Sequence, residues 1–73
     1  MAILDIVSEV TGTVWRIEAR VGQQLAPDEA VLIIESMKME IPVCAPEAGV
    51  VQEILVKEAE IVHEGALVAR LEV

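Results

Sequence analysis

The chain has no phenylalanine and no tyrosine, and only one tryptophan, one cysteine and one histidine in 73 residues. Each scarcity closes off an option. With Cys44 alone, no disulfide can form within the chain. Cys44 and His63 are the only cysteine and histidine, and a structural zinc site takes four ligands, mostly of these types, so no metal site is expected. Without Phe or Tyr, the core must be thin and aliphatic. Basic residues are also few: 5 against 13 acidic ones, for a net charge of −8. Such a surface repels phosphate backbones and anionic membranes, which argues against nucleic-acid and membrane partners. No apolar run reaches the length of a membrane span. No cationic segment followed by an apolar one opens the chain, so no signal peptide is expected. A solitary cysteine fits a reducing compartment, and a cytoplasmic protein is the expectation.

What the chain has in abundance is branched aliphatic side chains. Val and Ile make up 20 of the 73 residues, and 55% of the chain is apolar. Branching at Cβ favours strands over helices. The length suits a single domain over residues 1–73, stabilised by apolar burial because no staple is available.

The chain also repeats itself. A shift of 37 residues lays Gly12 on Gly49, Val14 on Val51, Ile17 on Ile54, Val31 on Val68 and Glu35 on Glu72. Leu25 falls on Val62 and Ile34 on Leu71, so apolar positions agree along most of the length. Two halves of one pattern predict a fold with pseudo-two-fold symmetry. Candidate strands are 3–8, 12–20, 31–36, 39–44, 49–57 and 66–73, punctuated by Gly22, Asp28, Pro46 and Gly65. No segment has sustained helical spacing. The expectation is all-β: a small sandwich or barrel of antiparallel sheets. Val14 and Ile17 both have apolar partners in the repeat yet lie three apart, on opposite faces of a regular strand. A bulge near Trp15 and Arg16 would turn both inward. Trp15 falls on Gln52 and is read as partly exposed, either at a partner surface or lying flat over aliphatics.

The junction of the halves breaks local rules. In Glu35-Ser36-Met37-Lys38-Met39-Glu40 two antiparallel strands must turn, and a two-residue turn favours Asn-Gly or Asp-Gly because both central residues need positive φ. Met-Lys is poor turn chemistry, and it leaves Met37 and Met39 where water is expected. A rule broken without structural gain points to function. Methionine is flexible and polarizable and suits an apolar ligand or several partners. Lys38 is one of two lysines, and its amine can be acylated at a projecting tip without disturbing any core.

These residues resemble the biotin attachment motif of biotin carboxyl carrier domains, in which methionines flank the modified lysine. Gly12-Thr13-Val14, Val21-Gly22, Ala45-Pro46 with Gly49, and Gly65-Ala66-Leu67 resemble the rest of the domain, so the likeness covers the whole chain. It implies a flattened, hammerhead-like barrel-sandwich of two antiparallel sheets with the lysine on an exposed hairpin. It implies covalent biotin on Lys38, contacts from Met37 and Met39, and attachment by a biotin protein ligase. It further implies that a biotin carboxylase loads a carboxyl group from bicarbonate with ATP, and that a carboxyltransferase passes it to an acceptor, as in acetyl-CoA carboxylase. The domain itself is expected to be a non-catalytic carrier. Glu35, Ser36 and Glu40 are candidates for ligase or partner recognition; the two glutamates can equally serve to keep the tip solvated. Residues 17–22 have no insertion, so the thumb of some bacterial carriers is expected to be absent. Ala59 stands where glycine is common, which implies either a turn without positive φ or a strained one.

Two rival readings share the fold: a lipoyl-type acyl carrier, whose lysine usually sits in Asp-Lys-Ala, and an unmodified adaptor, which needs no lysine at the tip. A third rival makes Cys44 and His63 a thiol–imidazole pair. Cys44 aligns with Val7 and is expected to be a small core residue, and His63 is expected to lie exposed beside Glu64. The remaining carboxylates are read mostly as a solvating surface.

Overall fold

The computed structural model describes residues 2–73. Eight strands account for its regular structure, and no helix occurs among the described residues. They are β1 (Ile3–Val7), β2 (Gly12–Ile17), β3 (Gln24–Leu25), β4 (Ala30–Ser36), β5 (Met39–Cys44), β6 (Gly49–Ile54), β7 (Ile61–Val62) and β8 (Leu67–Glu72). Two four-stranded antiparallel sheets result, with strand orders β1-β8-β6-β3 and β5-β4-β2-β7. The second carries the β4–β5 turn and is called the hairpin sheet below. The body is elongated, about 36 × 17 × 17 Å.

The repeat is visible in the topology. Adding 37 to the bounds of β2 and β3 gives those of β6 and β7, and each sheet contains two strands from either half. Inward side chains obey the same rule. Val14 and Val51, Val31 and Val68, and Ile34 and Leu71 are buried pairs, and together with Leu25 and Leu32 they fill the space between the sheets. Fully burying such a side chain stabilises the fold by roughly 1.5–3 kcal/mol.

The expected bulge is present and duplicated. The β2–β4 register shifts between Val14 and Arg16, so Trp15 has no partner of its own. The β6–β8 register shifts between Val51 and Glu53, leaving Gln52 in the equivalent place. Through the bulge Val14 is completely buried and Ile17 packs against the core three residues later.

Two differences from the sequence reading concern the strands. β2 and β6 stop at Ile17 and Ile54 rather than 20 and 57, because the chain leaves the sheet at Glu18; the amides of Glu18 and Ala19 both donate to the Val31 carbonyl. β3 and β7 are two-residue strands that no alternation could reveal. Their flanking loops are tied down alike in both halves. Gln23 Oε1 accepts the Arg20 amide and Glu60 Oε1 accepts the Lys57 amide, each at 3.0 Å.

Ala59 resolves as the strained alternative. Its φ is 74°, against 91° at its counterpart Gly22, and both amides donate across to the other half at 2.7 Å. A left-handed conformation costs an L-residue roughly 1–2 kcal/mol. Ala59→Gly is therefore expected to stabilise the domain by about 1 kcal/mol, net of glycine's unfolded-state entropy, and to raise Tm by about 4–8 °C. Thermal unfolding followed by circular dichroism measures this, and an unchanged or lower Tm counts against it.

Candidate functional site

The hairpin between β4 and β5 has a two-residue turn. Ser36 pairs with Met39, and Met37 and Lys38 occupy the central positions with φ of 52° and 65°. Both residues are left-handed, the geometry of a type I′ turn, and neither is a glycine. The twist of the flanking strands demands this turn, so the sequence accepts strain at its tip. Met37→Gly should relieve part of it and stabilise the domain by about 1 kcal/mol. Denaturant unfolding measures the gain, and a loss of stability would show that the methionine packs in a way its exposure denies.

That exposure is extreme. Met37 is 93% exposed and Met39 63%. Two large apolar side chains stand in water beside Lys38, itself exposed. Among the described residues, the only ion pairs are made by Arg70, so the Lys38 amine is not held by a carboxylate. A primary amine on an exposed two-residue turn can be acylated, and the flanking thioethers offer apolar contact to whatever is attached. These features fit an amide-linked hydrophobic cofactor.

Ser36 fixes the base of the turn. Its hydroxyl donates to the Thr11 carbonyl at 2.9 Å, joining the hairpin to the β1–β2 loop. Glu35 and Glu40 lie directly opposite each other across β4 and β5, and both are exposed. Like charges in facing positions are unfavourable, and no cation bridges them among the described residues. The pattern of acidic residues in the sequence does not by itself reveal this juxtaposition; the strand register does.

Elsewhere the carboxylates do more than solvate. Glu58 Oε2 accepts the Ile17 amide at 3.0 Å, and Glu29 Oε1 accepts the Ala26 amide at 2.9 Å. Glu53 and Asp5 grip Arg70 at 2.9 and 3.3 Å. These hydrogen bonds, that of Glu53 foremost, hold the guanidinium pKa above its ordinary value.

Cys44 requires a correction. It is half-buried rather than core, because it sits near the end of the edge strand β5 beside a cleft of about 210 Å³ shared with Val7, Val10 and Pro42. Its counterpart Val7 is likewise 42% exposed. His63 is exposed, as expected, and does not line that cleft. Trp15 is 43% exposed, with the Arg16 guanidinium 4.9 Å from its ring centroid.

The sequence signature of the biotin/lipoyl family, described as "Biotin-requiring enzyme", matches residues 2–71. The chain belongs to this family. A biotin/lipoyl attachment protein of Bacillus subtilis is 38% identical over 63 residues, covering 86% of either chain. A biotinylated protein (TB7.3 homolog) of Mycobacterium leprae is 34% identical over 65 residues, 89% of this chain and 92% of the relative. In the crystal structure of the Kluyveromyces lactis urea carboxylase, a segment 38% identical superposes with a TM-score of 0.93; it covers 97% of this chain but 6% of that enzyme. The chain is thus a biotin/lipoyl attachment domain similar to those of biotin-dependent carboxylases.

Proposed function

We propose that this domain, residues 1–73, is a biotin carboxyl carrier in which Lys38 is the biotinylated residue. The observation that carries the reading is the turn: a lysine held in a left-handed conformation at a projecting tip, unpaired and flanked by two exposed methionines. A biotin protein ligase would join the biotin carboxyl group to Nζ as an amide. Biotin, once attached, supplies a ureido nitrogen able to bear a carboxyl group.

The chain's own residues present and steer the tether. The turn keeps Nζ away from the body, Ser36 anchors the hairpin, and Met37 and Met39 offer apolar contact near the attachment point. Tethering keeps the cofactor at high effective concentration near separate biotin carboxylase and carboxyltransferase sites. The domain contributes no catalytic group, and a cytoplasmic location suits its single thiol.

Because the family spans biotin and lipoyl attachment, the cofactor is the point to test. The purified protein is incubated with ATP and either biotin plus a biotin protein ligase or lipoate plus a lipoate ligase. Intact mass should show one adduct in the first reaction, with peptide mapping placing it on Lys38. Efficient lipoylation without biotinylation would reassign the domain as an acyl carrier. No adduct in either reaction would favour the unmodified adaptor.

A further inference from the structure

The pseudo-two-fold symmetry provides an internal comparison: each outward position on one sheet has a counterpart on the other. In the sheet opposite the hairpin, one cross-strand row runs from Gln52 and Glu53 through Arg70 to Asp5. It is polar and closed by the two Arg70 ion pairs. The equivalent row on the hairpin sheet runs from Trp15 and Arg16 through Ile33 to Pro42. Gln52 is replaced by Trp15, Glu53 by Arg16, Arg70 by Ile33 and Asp5 by Pro42. The two rows answer the same backbone requirements, so stability alone does not explain why one is closed by ion pairs while the other sets Trp15, Ile33 and Pro42 around an Arg16 that stacks on the indole and enters no ion pair among the described residues. Trp15 and, in the neighbouring row beside Thr13, Ile61 are 43% and 67% exposed.

Position links this face to the tip. Ile33 lies on β4 three residues before Ser36, or about 10 Å at roughly 3.3 Å per residue. Between the row and the tip stand Glu35 and Glu40, facing each other with no cation between them. An unrelieved like-charge pair is what a basic partner would neutralise. Selectivity also calls for such a surface. Lys57 is exposed as Lys38 is, and neither enters an ion pair among the described residues. Their amines are chemically alike, so an enzyme that loads only one must read its surroundings.

We infer that the outer face of the hairpin sheet, centred on Trp15, Ile33 and Pro42, is the docking surface for the biotin protein ligase. The ligase meets it with an apolar patch bordered by basic residues that face Glu35 and Glu40. This deepens the functional reading above and rests on it.

The test compares loading kinetics of the whole protein with a biotin protein ligase, biotin and ATP, followed by intact mass. The variant Trp15→Gln/Ile33→Gln removes the apolar row without changing charge. Gln24→Ser/Gln52→Ser makes matching changes on the opposite sheet. The docking variant should raise KM about ten-fold or more, the loss of a substantial interface anchor. Its kcat should stay near the parent value, and the control should match the parent. Trp15→Gln alone, with the residue already present at the equivalent position 52, serves if the double variant fails to fold by circular dichroism. Glu35→Gln/Glu40→Gln should flatten the rise of KM with salt that a basic partner produces. Parent-like KM in the folded docking variants overturns the proposal. So does a parent chain that sediments as a dimer and becomes monomeric in those variants, which would assign the face to a second copy. A parent chain left unmodified by the ligase fails the carrier reading itself, whereas a parent loaded at Lys38 alongside an equally loaded docking variant fails only the docking surface.

Discussion

Lys38→Arg takes up no biotin, while Lys57→Arg is loaded as fully as the parent chain. The expected effect is total because the chemistry has no substitute. Arginine keeps the positive charge and most of the length of the side chain, but its guanidinium is never deprotonated in proteins and cannot act as the amine nucleophile. The substitution leaves the fold alone, since residue 38 is exposed and enters no ion pair among the described residues. Intact mass after incubation with ligase, biotin and ATP provides the measurement, with the thermal midpoint recorded beside it. An adduct on Lys38→Arg, or loss of loading in Lys57→Arg, would place the attachment site elsewhere. On the proposed carrier role, any carboxylation by an assembly containing the domain should vanish with the same substitution.

Gly12→Ala should be among the most damaging small substitutions in the chain. A Cβ at position 12 would press on the Glu35 carbonyl oxygen and on Cγ2 of Ile34. The carbonyl belongs to the backbone of β4 and cannot swing aside without disturbing the β2–β4 pairing. Overpacking of this kind costs about 1–3 kcal/mol, and contact with backbone argues for the upper part of that range. In a domain this small the midpoint should fall by roughly 10 °C or more. Gly49→Ala meets the symmetry-related obstacle, with the Glu72 carbonyl oxygen 2.6 Å and Leu71 Cγ 2.9 Å away, and should cost a similar amount. The two differ in one respect. β4 leads directly into the Lys38 turn and β8 does not, so loading by the ligase should slow more in Gly12→Ala. Denaturant unfolding of both variants within about 0.5 kcal/mol of the parent, the range of neutral surface changes, would refute the argument.

Much of the fold is legible in the sequence, because duplication converts weak signals into paired ones. A single Val14–Ile17 spacing is ambiguous, but the same spacing at Val51–Ile54 made an inward-turning bulge the economical reading, and both bulges exist. The tip was legible because Met-Lys is poor turn chemistry, and both residues adopt the left-handed conformation that the reading required. Other features had no local signature. β3 and β7 hold two residues each, too short for alternation to register. The strands end at Ile17 and Ile54 because a carbonyl on another strand captures the next amides, a non-local event. Cys44 was misplaced because pairing it with Val7 assumed that both lie inside, whereas both sit on edge strands with one side open. The confrontation of Glu35 with Glu40, and the contrast between Ile33 and Arg70, required the strand register.

The hydrogen bonds joining Ala2 and Val73 bear on how the domain can be mounted. Each amide donates to the other's carbonyl, at 3.1 and 2.9 Å. By the repeat, this pair occupies the place that Met39 and Ser36 hold around the turn, so the ends of the chain meet at the pole related by the dyad to the one bearing the amine. Polypeptide spliced onto either end would leave from there, and the Lys38 turn would face forward from its mooring. Bridging 73 to 2 with two residues while cutting between Met37 and Lys38 would yield a circular permutant with the same sheets, its new ends at the exposed turn that carries the amine.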